Sequence, residues 1–481
     1  MTTAVNELSV LNDVEQYEMK TCLGRIEAHL PYNQGRRAYY EAHQEVKDLG
    51  IAVPPHLKRT MTAVGWPGLV VDSLDERLDI SGIVIPGGDA ASIGADVIWA
   101  ENELDLLYPE AHIESLIQGV AFLRTSVGGE GEPEQLITVE SPTNMSGIYD
   151  PRRRGLSCAA SIVRDDEGKV VEATLYRPFM TVHVARGARA DAWTVTHREE
   201  HDMPRPLVRR LVNRPRGSRQ WGRSEITRPI ISYTQSAART LLGAEVSREF
   251  YNAPQRWVMG ANEEDFRDEN GQKVSPWKSY MGRMLALSAD EETGQVPSVG
   301  QFPAASPQPY IDLVRMYSQL VAGEAGLPAH YLGFVTDNPA SADQIRAVEA
   351  RHVKRAERRQ KAFGAAWRGA ILDAITLRDG AAVAQEAALL RVKWNDAATP
   401  TKAAAADATL KMVQAGVLPA DSDVVLEGLG HDEVDIARIR ADRRAAGVRD
   451  LATVLRDRAV ETRAENPPAA QALTRRVPQE T

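Results

Sequence analysis

The chain has 481 residues, 43% of them hydrophobic and 26% charged, with a formal net charge of −9. The length predicts roughly two to four structural regions, the composition excludes a disordered chain, and no apolar run approaches the roughly 18–20 residues that span a bilayer. Two distant cysteines, Cys22 and Cys158, exclude a disulfide framework and fit a reducing assembly compartment, and Met1–Glu15 lacks the basic-then-apolar pattern of a signal peptide.

In chain order, residues 1–60 read as helical and polar-aromatic, with Tyr32, Tyr39 and Tyr40 ahead of Pro54 and Pro55. Alternation predicts strands at Leu69–Asp72 and Ile80–Ile85. Apolar residues at helical spacing (Ile93, Val97, Ile98; Ile113, Ile117, Val120) predict helices over Asp89–Asp105 and Pro109–Leu123. Short β-like runs at Gln135–Val139, Leu156–Val163, Val170–Tyr176, Met180–Ala185 and Ala192–Thr196 predict an antiparallel meander, with Leu207–Val212 as its last strand. Asp165-Asp-Glu-Gly168 is a hairpin turn inside it, Gly supplying positive φ.

A helix over Thr227–Tyr251 follows, with Pro229 near its start, where a missing N–H is harmless. Residues 252–306 place Trp257, Trp277 and Tyr280 among turn residues, which fits a small β-containing subdomain or a mobile loop. A second helix spans Pro309–Ala325, and Gly326-Leu-Pro328 and a loop with Thr336-Asp-Asn-Pro339 come next. The long basic helix Ser341–Arg378 opens on a capping box of Ser341 and Gln344. As one helix it measures about 57 Å at 1.5 Å per residue. Past Pro400 the chain is Ala-rich and helical, with breaks at Gly416 and Gly428–Gly430, and from Glu465 it reads as a disordered tail.

Motifs for catalysis are weak. His197-Arg-Glu-Glu-His201 fits the H-x-x-E-H pattern of one zinc protease class, which needs both His on one helical face. Here it follows a strand pattern and precedes Pro204, so it reads as a turn. Gly87-Gly88 and Gly128-Gly-Glu-Gly131 lack a Walker lysine and the dinucleotide spacing, and are turns. Asp72, Asp75, Glu76 and Asp79 form an acidic cluster, read as a solvated face ahead of a metal site. No Ser or Cys has an evident base partner. No cofactor or catalytic residue is expected, and the chain reads as a non-enzyme.

Charge is segregated. Residues 68–115 hold eleven Asp or Glu against one Arg, a balance of −10. Residues 201–228 carry eight Arg against two acids, and residues 341–378 nine basic residues against four acids. That pattern argues against a protein that coats nucleic acid, yet permits local phosphate contact. Arg346, Lys354, Arg355, Arg358, Arg359 and Lys361 crowd the long helix. They suit pairing with acids between helices or subunits, or contact with passing DNA.

The order of these parts resembles the portal protein of tailed bacteriophages, the head-to-tail connector. Pro67-Gly-Leu-Val-Val-Asp-Ser-Leu-Asp-Glu-Arg-Leu78 resembles the start of the N-terminal wing in portals of actinobacterial phages. Gly222-Arg-Ser-Glu-Ile226, running into Thr227–Tyr251, is similar to the approach to the first stem helix. Gly326-Leu-Pro-Ala-His-Tyr-Leu-Gly333, then Asn338-Pro-Ala-Ser-Ala342 and the basic helix, resemble the end of the second stem helix, the tunnel loop and the long wing helix. The likeness spans roughly residues 15–400 and lies in order and spacing rather than in any unique signature.

The resemblance implies an α+β portal fold: an α/β wing (1–226, completed by 341–399), a two-helix stem (227–251 and 307–325), a small β-containing clip (252–306), a tunnel loop (326–340) and a helical crown with a flexible tail (400–481). It implies a homo-oligomeric ring, typically of twelve, at one capsid vertex of the virion, assembled in the host cytoplasm without a membrane. Double-stranded DNA would pass through its channel in packaging and ejection. The large terminase and then a head-completion or adaptor protein would dock on the clip, and major capsid and scaffolding proteins would surround the ring. Val335, Thr336, Asp337, Asn338, Pro339, Ala340 and Ser341 would line the channel. Arg346, Lys354 and Arg355 would lie near DNA or between subunits, and Trp257, Trp277, Lys278 and Tyr280 would serve clip docking. The alternatives are another ring-forming virion protein without DNA passage, or a metal-dependent hydrolase using His197 and His201.

Overall fold

The structure is a computed structural model that describes residues 10–43, 63–86, 93–186, 193–251, 256–260, 296, 298–301, 306–333, 342–431 and 434–446. In order, the elements are α1 (Asp13–Tyr40), α2 (Trp66–Asp75), β1 (Ile80–Val84), α3 (Ala95–Glu101), α4 (Leu104–Gln118), β2 (Val120–Val127), β3 (Gln135–Glu140), β4 (Met145–Asp150), β5 (Gly155–Arg164), β6 (Val170–Arg177), β7 (Met180–Arg186), β8 (Trp193–Glu200) and β9 (Val208–Val212). Then come α5 (Arg228–Tyr251), β10 (Arg256–Met259), β11 (Ser298–Gln301), α6 (Gln308–Ala325), α7 (Ala342–Asp379), α8 (Ala381–Glu386) and β12 (Arg391–Trp394). The chain divides into two units, the second beginning at Thr399.

The first unit is layered around sheets whose strands are buried on alternate faces. β4 to β8 form a five-stranded meander in sequence order. Cys158, Ala160, Ile162, Leu175 and Val182 on one face meet Met19, Cys22 and Ile26 of α1, and the two cysteines are free thiols. From the other face Ala159 and Tyr176 meet Val120, Phe122, Val208 and Val212 of a second sheet, ordered β3-β2-β9. The far side of that second sheet, with Ala121, Leu123 and Leu211, faces the core formed by α4 and α7. Period-two alternation thus lets β2 and β9 serve two cores at once.

Several elements depart from the sequence expectation. Leu69–Asp72 is helix, not strand: Pro67 opens α2, and Val70, Val71, Leu74 and Leu78 are buried at helical spacing. The helix expected over Pro109–Leu123 stops at Gln118, because Gly119 at φ 102 terminates it, and Val120 onward is the central strand β2. Leu207–Val212 does not close the meander. β9 crosses to pair with β2, Val120 opposite Val212. The His197–His201 pentad is not a turn: β8 runs through Glu200, with His183 opposite His197. In a strand the two His are about 13 Å apart at 3.3 Å per residue, which is not the one-face helical geometry of a zinc protease.

The acidic cluster is also not a solvated face throughout. Tyr40 donates its hydroxyl to Asp72 at 2.9 Å, and Tyr108 and Asn395 both bond to Asp79. Burial, and then the neighbouring Asp72, Glu76 and Asp79, push the Asp75 carboxyl up to about 7.

The largest core gathers on α7. Ala356, Phe363, Trp367, Ala370, Ile371 and Ala374 are buried as one stripe against α2, α3 and α4. β12 then returns to pair with β1, tying the chain's two distant ends of this unit together. At the centre, Trp367 donates its indole N–H to His112 Nε2 at 3.0 Å. His112 lies between Phe363 and Trp394, stacked on both. Burial pushes its pKa down to about 3, so the ring is neutral and its proton sits on Nδ1.

The second unit is helical: Lys402–Gln414, capped by Thr401, then Asp423–Gly428 and a helix over 434–446. The tail expected from Glu465 lies outside the described residues.

Trp367→Ala should destabilise the first unit by about 3–5 kcal/mol, since a fully buried indole is removed and a cavity is left. Trp367→Phe should lose less, mainly the unmet acceptor on His112. Shifts in the urea midpoint of the purified chain and its two variants measure this.

Candidate functional site

Between α6 and α7, the described residues on either side of segment 334–341 carry buried polar contacts. On the incoming side, α6 ends at Gly326, at φ 69, whose N–H is accepted by the Ala322 carbonyl. A Cβ here would sit 2.9 Å from Arg355 Nη1 and 3.2 Å from Arg351 Nε. Glycine suits the left-handed backbone here, and the guanidiniums of α7 approach closely over it. Leu327 is buried, and Ala329–Leu332 make a 3₁₀ turn.

Arg77, itself buried, fastens both sides of that segment. It donates to Tyr331 Oη at 2.7 Å and to the Ala397 carbonyl at 2.6 Å. Glu349, on the outgoing side in α7, lies 3.5 Å from Arg77 and accepts from the Tyr331 hydroxyl at 3.3 Å. One guanidinium thus links the turn before the segment, the helix after it, and the chain beyond β12. Arg is suited to this because its planar fork offers five donors.

A second anchor sits one turn further along α7. Arg355 donates to Glu225 Oε2 at 2.5 Å, and Arg359 donates to Oε1. Asn213 donates to Oε1 at 2.9 Å, and Arg214 stands 3.5 Å away. Burial raises the Glu225 pKa, but the charges of Arg359 and Arg355 outweigh it and hold the carboxyl below its ordinary range. A third anchor is Asp373, wholly buried. It accepts from Arg205 Nε at 2.9 Å and from Arg209 Nη2 at 2.8 Å.

These contacts relocate several residues singled out in the sequence. Arg355 and Arg359 pair within the chain with Glu225, 130 residues away from Arg355. Lys354 is exposed and pairs with Glu357 at 2.6 Å. Arg346 lies on the first turns of α7, with its side chain outside the described residues, as are the expected channel residues Val335–Ser341. Trp257 lies on β10, paired with Gly300 of β11, and only glycine fits there, because a Cβ would fall 2.3 Å from the indole. Trp277, Lys278 and Tyr280 lie outside the described residues. Sequence reading missed Arg77, Tyr331, Glu225 and Asp373. The available signal was acidic residues isolated within basic stretches, Glu225 in 201–228 and Asp373 in 341–378.

Residues 19–424 match the family described as "Phage portal protein, SPP1 Gp6-like". The chain belongs to that phage portal family. It is 32% identical to the portal protein of Mycobacterium phage L5 over 392 residues, 79% of each chain, and 33% identical to that of Mycobacterium phage D29 over 408 residues, 82% of each. Among solved structures it is similar to a chain in the neck of an empty gene transfer agent particle, at 13% identity and a TM-score of 0.46, covering 82% of this chain and 98% of that one. A chain of the native particle's virion gives 13% identity and a TM-score of 0.43, over 82% and 99%. Portal proteins form a structural family.

Glu225→Gln should destabilise the portal subunit by about 3–5 kcal/mol at neutral pH, because the arginines lose their buried counter-charge. The folded carboxyl titrates below its unfolded value of 4.5, so its contribution is complete above that value and is lost as pH falls through the folded pKa. The gap between wild type and variant should therefore narrow in acid. Urea midpoints at neutral pH and at about pH 3 test both parts.

Proposed function

We propose that this chain is the repeating subunit of a ring at one capsid vertex, and that α5 and α6 line its channel as the stem. The observation that carries this is the family match over residues 19–424. The helices add physical support. α5 and α6 pack on one another through Ala237, Ala238, Val321 and Ala322. On its other side α6 leaves Leu313, Met316 and Leu320 between 40% and 43% exposed at i, i+3 and i+7. A helix that keeps such a stripe in water within one subunit is covered by another in the assembly.

In this reading the wing is 1–226 with 341–399, the clip 252–306, the tunnel loop 326–340 and the crown 400–481. The division of the chain before Thr399 supports where the crown begins. The ribbon of β10 and β11 supports a β-containing clip at the far end of the stem helices. Terminase and later a head-completion protein dock on that clip, with Trp257, Trp277, Lys278 and Tyr280 as the contact residues. Val335–Ser341 meets the DNA in the channel. A channel that lets DNA slide must not hold it, because phosphate neutralisation makes binding strong and salt-dependent. An acidic chain with inward-turned arginines suits that.

The purified chain should run as a large ring by native mass, with an open axial hole in negative-stain images. A stable monomer at micromolar concentration, or a closed particle, contradicts the proposal. Asp337→Lys or Asn338→Lys should leave assembly intact but slow packaging, more so at low salt, since each subunit adds positive charge beside the DNA. Packaged length against time at two salt concentrations checks this; wild-type rates at both would place the loop away from DNA.

A further inference from the structure

The first unit carries two surfaces of opposite charge on different faces of α7. On the face of Arg358, Ala362 and Ala365 lies a cleft of about 520 Å³ lined by Arg153, Arg154, Arg205, Arg209 and Arg210. Beside it, sharing Ala362, a second of about 380 Å³ is lined by Arg214, Arg216, Arg223, Arg358 and Arg359. No carboxylate lines either one among the described residues. Some of this charge is already met: Asp373 takes Arg205 and Arg209, Glu225 takes Arg214 and Arg359, and Asp150 and Glu324 each lie 3.7 Å from Arg153 and Arg223 respectively. Arg154, Arg216 and Arg358 remain exposed at the rims, and the exposed ridge of α7 continues the belt with Arg351 and Lys361.

The anionic surface lies on α3 and α4, which pack against the Phe363–Trp367 face of the same helix. They expose Glu101, Glu103, Asp105 and Glu110. Val97 and Leu106 stand among these acids, 51% and 68% exposed.

We propose that these surfaces are the two halves of one contact between copies of this chain, the acidic edge of α3 and α4 on one copy seating against the arginine clefts of the next. A contact between two different patches of the same chain is head-to-tail, and closes into a ring when the rotation closes. Each copy brings both halves in equal number. The clefts are prepared for carboxylates: Arg210 is stacked 4.2 Å from the Tyr149 ring centroid and 5.2 Å from that of Trp221. It also donates to the Gln220 carbonyl at 2.8 Å. A guanidinium held in place loses little freedom when it pairs. The cleft floors include Leu156, Val208 and Ala362, which suit Val97 and Leu106 amid the acids. A nucleic acid offers phosphates but no apolar group for that floor, and the chain's charge of −9 opposes it.

This rests on the ring reading above, and the test separates the two. One variant carries Arg216→Glu, Arg358→Glu and Lys361→Glu; the other carries Glu101→Lys, Glu103→Lys and Glu110→Lys. Each alone places like charges across the contact, and ring yield by native mass should fall at least about tenfold. An equimolar mixture should recover rings of alternating copies, because each reversed half then meets its complement. Recovery also shows that both variants fold. Wild-type ring yield from either variant alone, or no recovery on mixing, overturns the contact while leaving the ring reading in place. Failure of the wild type to form rings sinks both. Rings that persist in the arginine variant but lose salt-sensitive retention of a short DNA duplex would assign the clefts to phosphate instead.

Discussion

A carboxylate sealed from water must be met by cations, and two such carboxylates decide how the long helix is held. Asp373 and Glu225 are both buried, and between them they fix five arginines, three from the 205–214 stretch and two from α7 itself. Their geometry runs in opposite senses. At Asp373 the helix supplies the acid and β9 with its approach supplies the arginines. At Glu225 the helix supplies the arginines, and the acid comes from the run-in to α5. Neither pair can slip along the helix without stranding a charge in the interior, which is far less favourable than losing an exposed pair. α7 is thereby locked in register against the three-stranded sheet at one point and against the segment leading into α5 at another.

Everything around the 334–341 segment follows from that lock. With α7 fixed, Gly326 can let α6 end against Arg351 and Arg355, and Arg77 can reach Tyr331 and Glu349 together. The described residues on either side of that segment, Tyr331 and Glu349, thus meet at one buried guanidinium. The apolar core plays the complementary part: Trp367, His112 and Phe363 hold α7 to α3 and α4, on a face separate from the arginines.

The same division of α7 into faces gives the subunit its electrostatic asymmetry. The apolar face recruits the acidic helices α3 and α4, while the polar face gathers the arginines of 201–228. An acidic chain can therefore present a strongly cationic belt without attracting nucleic acid over its whole surface.

The sequence by itself determined the long helices and the strands β5 to β8 of the meander, but it also placed Gln135–Val139 there, whereas β3 pairs with β2 in the other sheet. Thr227–Tyr251 was legible from Pro229 near its start, Pro309–Ala325 from the Gly326 that follows it, and Ser341–Arg378 from its long uninterrupted basic run. The hairpin at Asp165–Gly168 was legible because turn chemistry is local. Short apolar runs were not. Leu69–Asp72 reads equally as strand or helix, and only its burial against α4 and α5 chose helix. Whether β9 closed the meander or crossed to β2 depended on which sheet had an open edge, which no local pattern records. The roles of Arg355, Arg359, Arg205 and Arg209 lay furthest out of reach. A charge on a helix looks the same in sequence whether it faces water, DNA or a carboxylate more than a hundred residues away, and only the tertiary fold, by burying Glu225 and Asp373 beside them, decided which.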